Sequence, residues 1–227
     1  MRITKLEFQK KDPSRVSVYV DEKFAVGLDS NDLISLGLYN GQEITPEYLS
    51  KIIFQGETGK LYNAALNYIS FRPRSEHEIR QLLYRKTHRP VRSKTGTISK
   101  KNIDKLESEK TIDNVISRLH EKKFLDDEAF AKWFLDQRTT FKPKGKIALK
   151  FELAGKGIDR KIVDSVLSEV SKTSEKDMAE EVLRKKMARS TKLSDDPREV
   201  KKKLTQFLVS RGFSWDLASE AVGRALK

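Results

Sequence analysis

The stretch Lys142–Val170, KPKGKIALKFELAGKGIDRKIVDSVLSEV, decides the fold because the chain contains its pattern three times. It predicts a basic start, a helix, a turn at Gly157 and a second helix opened by Asp159. Moving seventy positions back gives a matching segment at Arg72, and moving fifty-five positions forward gives another around Leu204. Each copy is preceded and followed by an amphipathic helix. The pattern therefore predicts a helical array in which no repeat buries its apolar face alone.

The composition favours a folded, helical and basic protein. The 227 residues are 35% charged and 37% hydrophobic, and the apolar positions recur periodically. Lys and Arg number 46 against 33 for Asp and Glu, which gives a net charge of +13. Such an excess favours a polyanion as partner, or a protein whose surface or bound cargo is anionic.

Several kinds of chemistry are excluded or disfavoured. Without cysteine there is no disulfide framework, thiol nucleophile or Cys-ligated metal. Residues 56–61 resemble a phosphate loop, but the motif's first glycine and its Ser or Thr are missing. The three histidines show no metal-site or nucleophile–base pattern, and Asp126–Glu128 is better explained as an acidic helix start. We expect no enzyme activity and no cofactor.

No apolar run approaches the ~20 residues that span a bilayer, and no signal-peptide pattern follows Met1. We therefore expect a cytoplasmic protein that does not bind membranes.

The N-terminal residues differ from the rest. Alternating apolar residues within 1–28 predict a three-strand antiparallel meander. Ser30–Asp32 is expected to cap a short helix over 33–38, and Pro46 to open another. Residues 56–60 are predicted to be a linker, with Thr58 as the N-cap of the helix that follows.

The predicted fold is mainly α, with three tandem three-helix repeats after a small β-rich (α+β) extension. Within the first repeat, residues 87–110 form a basic, polar insertion that we expect to be a mobile loop that contacts DNA. Thr111 is expected to cap the helix that follows, and 191–197 to be a polar linker. The predicted boundaries are 1–55 for the extension with two short helices, and 61–125, 126–173 and 174–227 for the repeats.

Four segments carry a resemblance to a known family: Ala65–Ile79, Phe124–Ala131, Gly145–Ile158 and Arg211–Ser214. Together, and in this order, they resemble the RecX regulators of the RecA recombinase, over roughly Leu61 to the C-terminus. Single segments are unspecific, whereas the ordered set with a three-fold repeat is specific.

The resemblance implies three three-helix units in an elongated, curved array. It implies binding in the groove of the RecA–DNA filament and modulation, in most members inhibition, of strand exchange, ATP hydrolysis and repressor cleavage. The expected partners are RecA and, weakly and without sequence preference, filament-bound DNA; we expect a monomer. The sequence departs from the family in the insertion and at Thr87, where the other repeats have Gly157 and Gly212.

Cations recur at matching positions of the repeats and are the candidate contact residues. They are Arg72, Arg74, Arg80, Lys142, Lys144, Lys150 and Lys156. The four at helix starts rank first, because the positive helix N-terminus repels them and an external anion best explains them. Cations in last turns, such as Lys86, Lys156 and Arg211, are more readily explained as helix caps.

The main alternative is a non-specific DNA-binding helical-repeat protein that acts without RecA. A sequence-specific reader should carry Arg, Asn or Gln along one exposed helix face, whereas Lys and Glu prevail here. A repeat scaffold with an unrelated partner comes second. A nuclease or NTPase comes third, because the sequence contains neither a metal-binding carboxylate cluster nor a phosphate loop.

Overall fold

The computed structural model describes residues 1–10, 12–88, 91–92, 98–99, 105–170, 172–189 and 196–226. This part of the chain is mainly helical, with a small sheet at its N-terminus. It forms two compact units. The N-terminal unit comprises residues 1–72 and 78–125, and the C-terminal unit comprises 73–77 and 126–227.

The predicted meander is confirmed. Strands β1 (Ile3–Gln9), β2 (Asp12–Val20) and β3 (Lys23–Asp29) are antiparallel and lie in the order β1-β2-β3. Val16, Val18 and Val20 alternate with more exposed residues and face the core, as period two requires.

Two helices pack against this sheet. Helix α1 (Ser30–Ser35) starts earlier than predicted, because Asp29 is its N-cap and accepts from the Asn31 amide at 3.0 Å. Helix α2 (Pro46–Ile69) starts as predicted, with the Thr45 hydroxyl accepting from the Tyr48 amide at 3.2 Å.

The linker predicted at 56–60 is wrong, because α2 runs through it without a break. Gly56 is needed there for close packing, since a Cβ would lie 2.5 Å from Val26 Cγ2 and 2.9 Å from the Gly27 oxygen. Thr58 does not cap a helix; its hydroxyl donates to the Phe54 carbonyl oxygen at 2.8 Å. Gly56, which suggested a break, instead lets the helix approach the sheet.

The remaining helices follow in order. They are α3 (Glu76–Thr87), α4 (Lys105–Glu121), α5 (Asp127–Phe141), α6 (Lys146–Gly155), α7 (Arg160–Glu169), α8 (Lys172–Arg189), α9 (Pro197–Ser210) and α10 (Trp215–Ala225). Repeat 1 consists of the C-terminal part of α2 with α3 and α4. Repeat 2 is α5–α7, and repeat 3 is α8–α10. The predicted three three-helix repeats are thus confirmed.

Each repeat has its own apolar core. The largest fully buried side chains are Ile79, Leu83 and Leu119 in repeat 1, Phe130, Leu149 and Leu153 in repeat 2, and Leu183, Leu208 and Phe213 in repeat 3. A fourth cluster lies between the N-terminal sheet and the first part of α2. Most of these residues follow the helical period of the sequence.

The predicted basic insertion is described only in part. Strands β4 (Val91–Arg92) and β5 (Ile98–Ser99) pair antiparallel, and α4 begins at Lys105. The expected cap at Thr111 is therefore wrong: this residue lies inside α4 and its hydroxyl donates to the Glu107 carbonyl oxygen at 2.8 Å. The rest of the insertion, and most of the linker predicted at 191–197, lie outside the described residues.

Candidate partner-binding surface

Arg72, one of the predicted contact residues, bonds to a carboxylate of its own unit. Its two terminal nitrogens donate to the two carboxylate oxygens of Glu78 at 2.9 and 3.1 Å. Glu78 lies in the first turn of α3 and is largely buried. This bidentate pair ties the end of α2 to the start of α3. An external anion is therefore not needed to explain a cation at this helix start.

Lys144 has the same kind of partner in repeat 2. Its ammonium donates to one oxygen of Glu152, and Arg138 donates to the other at 2.7 Å. Burial raises the pKa of Glu152, but the bonds and charges of the two cations outweigh it, so this pKa lies below its ordinary value. The carboxylate stays ionised and joins α5 to α6. For Lys144, too, an external anion is not needed to explain the cation, and its contact with a partner stays a prediction.

Arg80 and Lys150 occupy equivalent positions, seventy residues apart, and form equivalent ion pairs. Arg80 bonds to Asp113 on α4 at 2.7 Å, and Lys150 bonds to Asp164 on α7. The hydrogen bond from Lys150 lowers the pKa of Asp164. All four side chains are exposed, and such pairs contribute only about 0–1 kcal/mol to stability. Lys150 can therefore exchange its carboxylate for an anion of a partner at little cost.

The other three predicted residues differ in exposure. Lys142 is exposed, and it makes no ion pair in the part of the chain that the structure describes. Arg74 and Lys156 are half-buried. The Lys156 carbonyl oxygen accepts from the buried Ser75 hydroxyl at 2.8 Å, so this position has a structural role.

Sequence reasoning missed a contact that occurs twice within the C-terminal unit. The start of α3 lies against the turn at Gly157: the Glu76 amide donates to Asp127 at 2.9 Å, and a Cβ on Gly157 would lie 2.5 Å from His77 Cβ. We call this contact the first joint.

The second joint has the same plan one repeat later. The start of α6 lies against the turn at Gly212, where the Gly145 amide donates to the Arg211 carbonyl oxygen at 3.1 Å. The Lys146 amide donates to Glu175 of α8 at 3.0 Å. Gly157 and Gly212 both have positive φ, +75° and +89°, and neither has room for a side chain.

Sequence reasoning also missed two exposed aromatic side chains beside the basic segments. Phe71 and Phe141 precede Arg72 and Lys142, and they are 77% and 71% exposed. The signal was present, because the same seventy-residue shift that aligns the cations also aligns these rings.

The described ranges contain neither a metal-binding group nor a membrane-spanning helix. No group of three or more acidic or histidine side chains there is placed to hold a metal ion. None of the described helices combines the length and hydropathy that a membrane span requires.

Comparison with known proteins assigns the chain to a family. Four family models match in order: the regulatory protein RecX N-terminal domain (1–45), and the first, second and third RecX three-helix domains (62–90, 126–167 and 174–222). Regulatory protein RecX of Halalkalibacterium halodurans is 30% identical over 223 residues, which cover 96% of this chain and 76% of that protein. The chain belongs to the RecX family.

Other RecX proteins support the assignment. The Clostridium acetobutylicum regulatory protein RecX is 30% identical and covers 97% of this chain and 94% of its own length. A crystal structure of a regulatory protein RecX matches 95% of this chain and 96% of its own, with a TM-score of 0.70 at 23% identity. That likeness supports the fold. The family descriptions are those of a regulatory protein and not of an enzyme.

Proposed function

We propose that this protein binds in the groove of the RecA–DNA filament and inhibits ATP hydrolysis, strand exchange and repressor cleavage by RecA. The observation that carries the proposal is the ordered match of all four RecX domains along the chain. RecA regulation is the role that the resemblance to this family implies. On this proposal the protein works in the cytoplasm as a monomer and touches DNA mainly as part of the filament.

The charge of the protein supports such a target. A net charge of +13 favours association with a filament that carries DNA phosphates and acidic side chains. A protein that occupies the groove would obstruct a second duplex or a repressor, and it needs no chemistry of its own to do so.

The internal ion pairs divide the seven candidate cations by role. Arg72 and Lys144 hold helices together, so their removal would weaken the fold as well as any contact. Lys142 and Lys150 are the better candidates for contact, because Lys142 makes no described ion pair and the pair of Lys150 with Asp164 is exposed. The Arg80–Asp113 pair is exposed as well.

The test is the ATPase activity of RecA on single-stranded DNA with increasing amounts of this protein. We expect inhibition at amounts well below that of RecA. Replacing Lys142 and Lys150 together by Ala should raise the amount required by roughly 2- to 30-fold, the combined value of two surface charge contacts. Replacing Lys185 and Lys203 together by Ala is the matched control, because both lysines are exposed in ion pairs, with Glu181 and Glu199, and lie outside the predicted surface.

Two results would contradict the proposal. One is unchanged ATPase activity at amounts equal to RecA, together with tight binding to bare DNA, which would favour the DNA-binding alternative. The other is an equal loss of inhibition in the control that replaces Lys185 and Lys203, which would assign the effect to net charge and not to this surface.

A further inference from the structure

Phe71 and Phe141 are the feature that the proposed function leaves unexplained. Phe71 lies two residues after the end of α2, and Phe141 is the last residue of α5. Neither ring makes an aromatic or cation–π contact within the described part of the chain. A phenylalanine in a core removes a large apolar area from water, and these two leave theirs in solvent.

The two rings belong to one repeated element. Phe71-Arg72-Pro73-Arg74 and Phe141-Lys142-Pro143-Lys144 share the order aromatic, basic, proline, basic. Repeat 3 lacks the element, because the matching position there is Asp196. A ring kept exposed in the same context twice is harder to explain by chance than one exposed ring.

Phe151 shows that this context is distinctive. It is as exposed, at 75%, but the matching residues of repeats 1 and 3 are Gln81 and Gln206. It therefore belongs to no repeated element and provides a comparison for the other two.

The sequence neighbours of the two rings indicate the chemistry of the partner that covers them. The residues on either side are polar or basic: Ser70 and Arg72 beside one ring, Thr140 and Lys142 beside the other. The core of a protein–protein interface is depleted of lysine, so the ring of Phe141 between Thr140 and Lys142 is not typical of it. Aromatic side chains within a basic surface are typical of single-stranded nucleic-acid binding, where bases stack on rings and cations hold phosphates.

We propose that Phe71 and Phe141 stack on bases of single-stranded DNA, and that adjacent cations, Lys142 above all, hold the backbone phosphates. The proline two residues after each ring fixes the backbone and so limits the freedom lost on binding. Stacking does not depend on the identity of the base. This agrees with the exposed helix faces, which carry mostly Lys and Glu and few of the side chains that recognise base edges. This inference rests on the proposed function in one respect, since it takes the filament's DNA as the natural ligand.

The test measures the affinity of the full-length protein for fluorescent oligo(dT) and, separately, for the RecA filament on single-stranded DNA. We expect Phe71→Ala and Phe141→Ala each to weaken oligo(dT) binding by roughly 5- to 150-fold, the usual effect of losing one stacked base. Leu at either position should behave like Ala, because leucine keeps apolar volume but has no ring face. Phe151→Ala should bind as the wild type does. All variants replace exposed side chains, so their thermal unfolding should match that of the wild type.

The outcomes separate this inference from the function on which it rests. One outcome is that Phe71→Ala and Phe141→Ala lose affinity for the filament but keep their affinity for oligo(dT), and that Leu at these positions restores the affinity for the filament. The rings then enter an apolar pocket of a protein, and the stacking proposal is overturned. An equal loss in Phe151→Ala also overturns it. A further outcome is that the wild type leaves RecA unaffected while the Phe71 and Phe141 variants lose oligo(dT) binding and Phe151→Ala keeps it. In that case the stacking proposal stands and the proposed function fails.

Discussion

Gly157→Ala tests the first joint more directly than any other substitution. Gly157 has a φ of +75°, and a Cβ placed there would lie 2.5 Å from His77 Cβ and 2.7 Å from His77 Cγ. Carbon atoms in contact normally lie about 3.5–4.0 Å apart, so the overlap is about 1 Å. His77 Cβ is fixed to the backbone, and a change of rotamer cannot remove that clash.

Two costs add in this variant. A left-handed backbone costs a residue with a Cβ about 1–2 kcal/mol. Overpacking of a close contact adds about 1–3 kcal/mol. The free energy of unfolding of the C-terminal unit should therefore fall by roughly 2–5 kcal/mol in Gly157→Ala. In a His77→Gly background the clash disappears, and only the backbone cost of about 1–2 kcal/mol should remain.

Urea unfolding followed by tryptophan fluorescence is a suitable assay. Both tryptophans, Trp133 and Trp215, lie in the C-terminal unit, so the signal reports on the unit that contains the joint. Gly155→Ala is the control: a Cβ there meets nothing within 4 Å, and Ala is expected to be neutral or stabilising by up to about 1 kcal/mol. An unfolding midpoint of Gly157→Ala at or above that of Gly155→Ala would refute the reasoning.

Two further predictions concern polar contacts. Glu152→Gln should lower the free energy of unfolding by about 1–3 kcal/mol at neutral pH, because two cations lose their charged acceptor. The Glu152 pKa is lowered in the folded state, so its contribution is complete above the ordinary value of 4.5 and is lost as the pH falls through the lowered value. The urea midpoints of wild type and variant should therefore converge in acid, and a constant gap would contradict this assignment. Ser75→Ala should lower the free energy of unfolding by about 0.5–3 kcal/mol, because the Lys156 carbonyl oxygen loses a buried donor; an unchanged midpoint in urea would contradict it.

Local periodicity was enough to predict much of the fold. The strands of 1–29, the Asp126 and Asp159 caps and the three three-helix repeats all follow from patterns within short windows of sequence. The exact limits of the four predicted domains stay a prediction. The failed linker at 56–60 has a tertiary cause, since Gly56 is explained by β3, which is distant in sequence.

The ion pairs of the candidate surface could not be found in this way. Arg72 and Glu78 are six residues apart, and Lys144 and Glu152 are eight apart; each cation lies in the segment before the helix that carries its carboxylate. The rule for neighbours on one helix, at spacings of three or four, does not select such pairs. A dipole argument that considers one helix at a time therefore overlooked the internal partners of Arg72 and Lys144.

The departure at Thr87 has a structural reason. Gly157 and Gly212 lie in turns that receive the start of a helix from the preceding repeat, which leaves no room for a side chain. The elements that come before repeat 1 are the three strands and α1, and among the described residues no helix start lies against Thr87 as His77 lies against Gly157. Thr87 can remain helical, with its hydroxyl donating to the Tyr84 carbonyl oxygen at 2.9 Å.

The same joints determine which helices need caps of their own. Helix α6 begins after Gly145, which offers no side-chain cap, and Glu175 of the next repeat accepts its first free amide instead. Asp127 does the same for α3. Helix α9, by contrast, is capped by its own Asp196. From the sequence, acidic residues in a first turn are explained by the dipole of their own helix. In the structure, Asp127 and Glu175 also accept the amide of a helix in the preceding repeat. For α6 the glycine start both allows the close approach to the turn at Gly212 and leaves the helix without a side-chain cap of its own. The start of α6 therefore depends on Glu175 of repeat 3, and repeat 3 stabilises repeat 2.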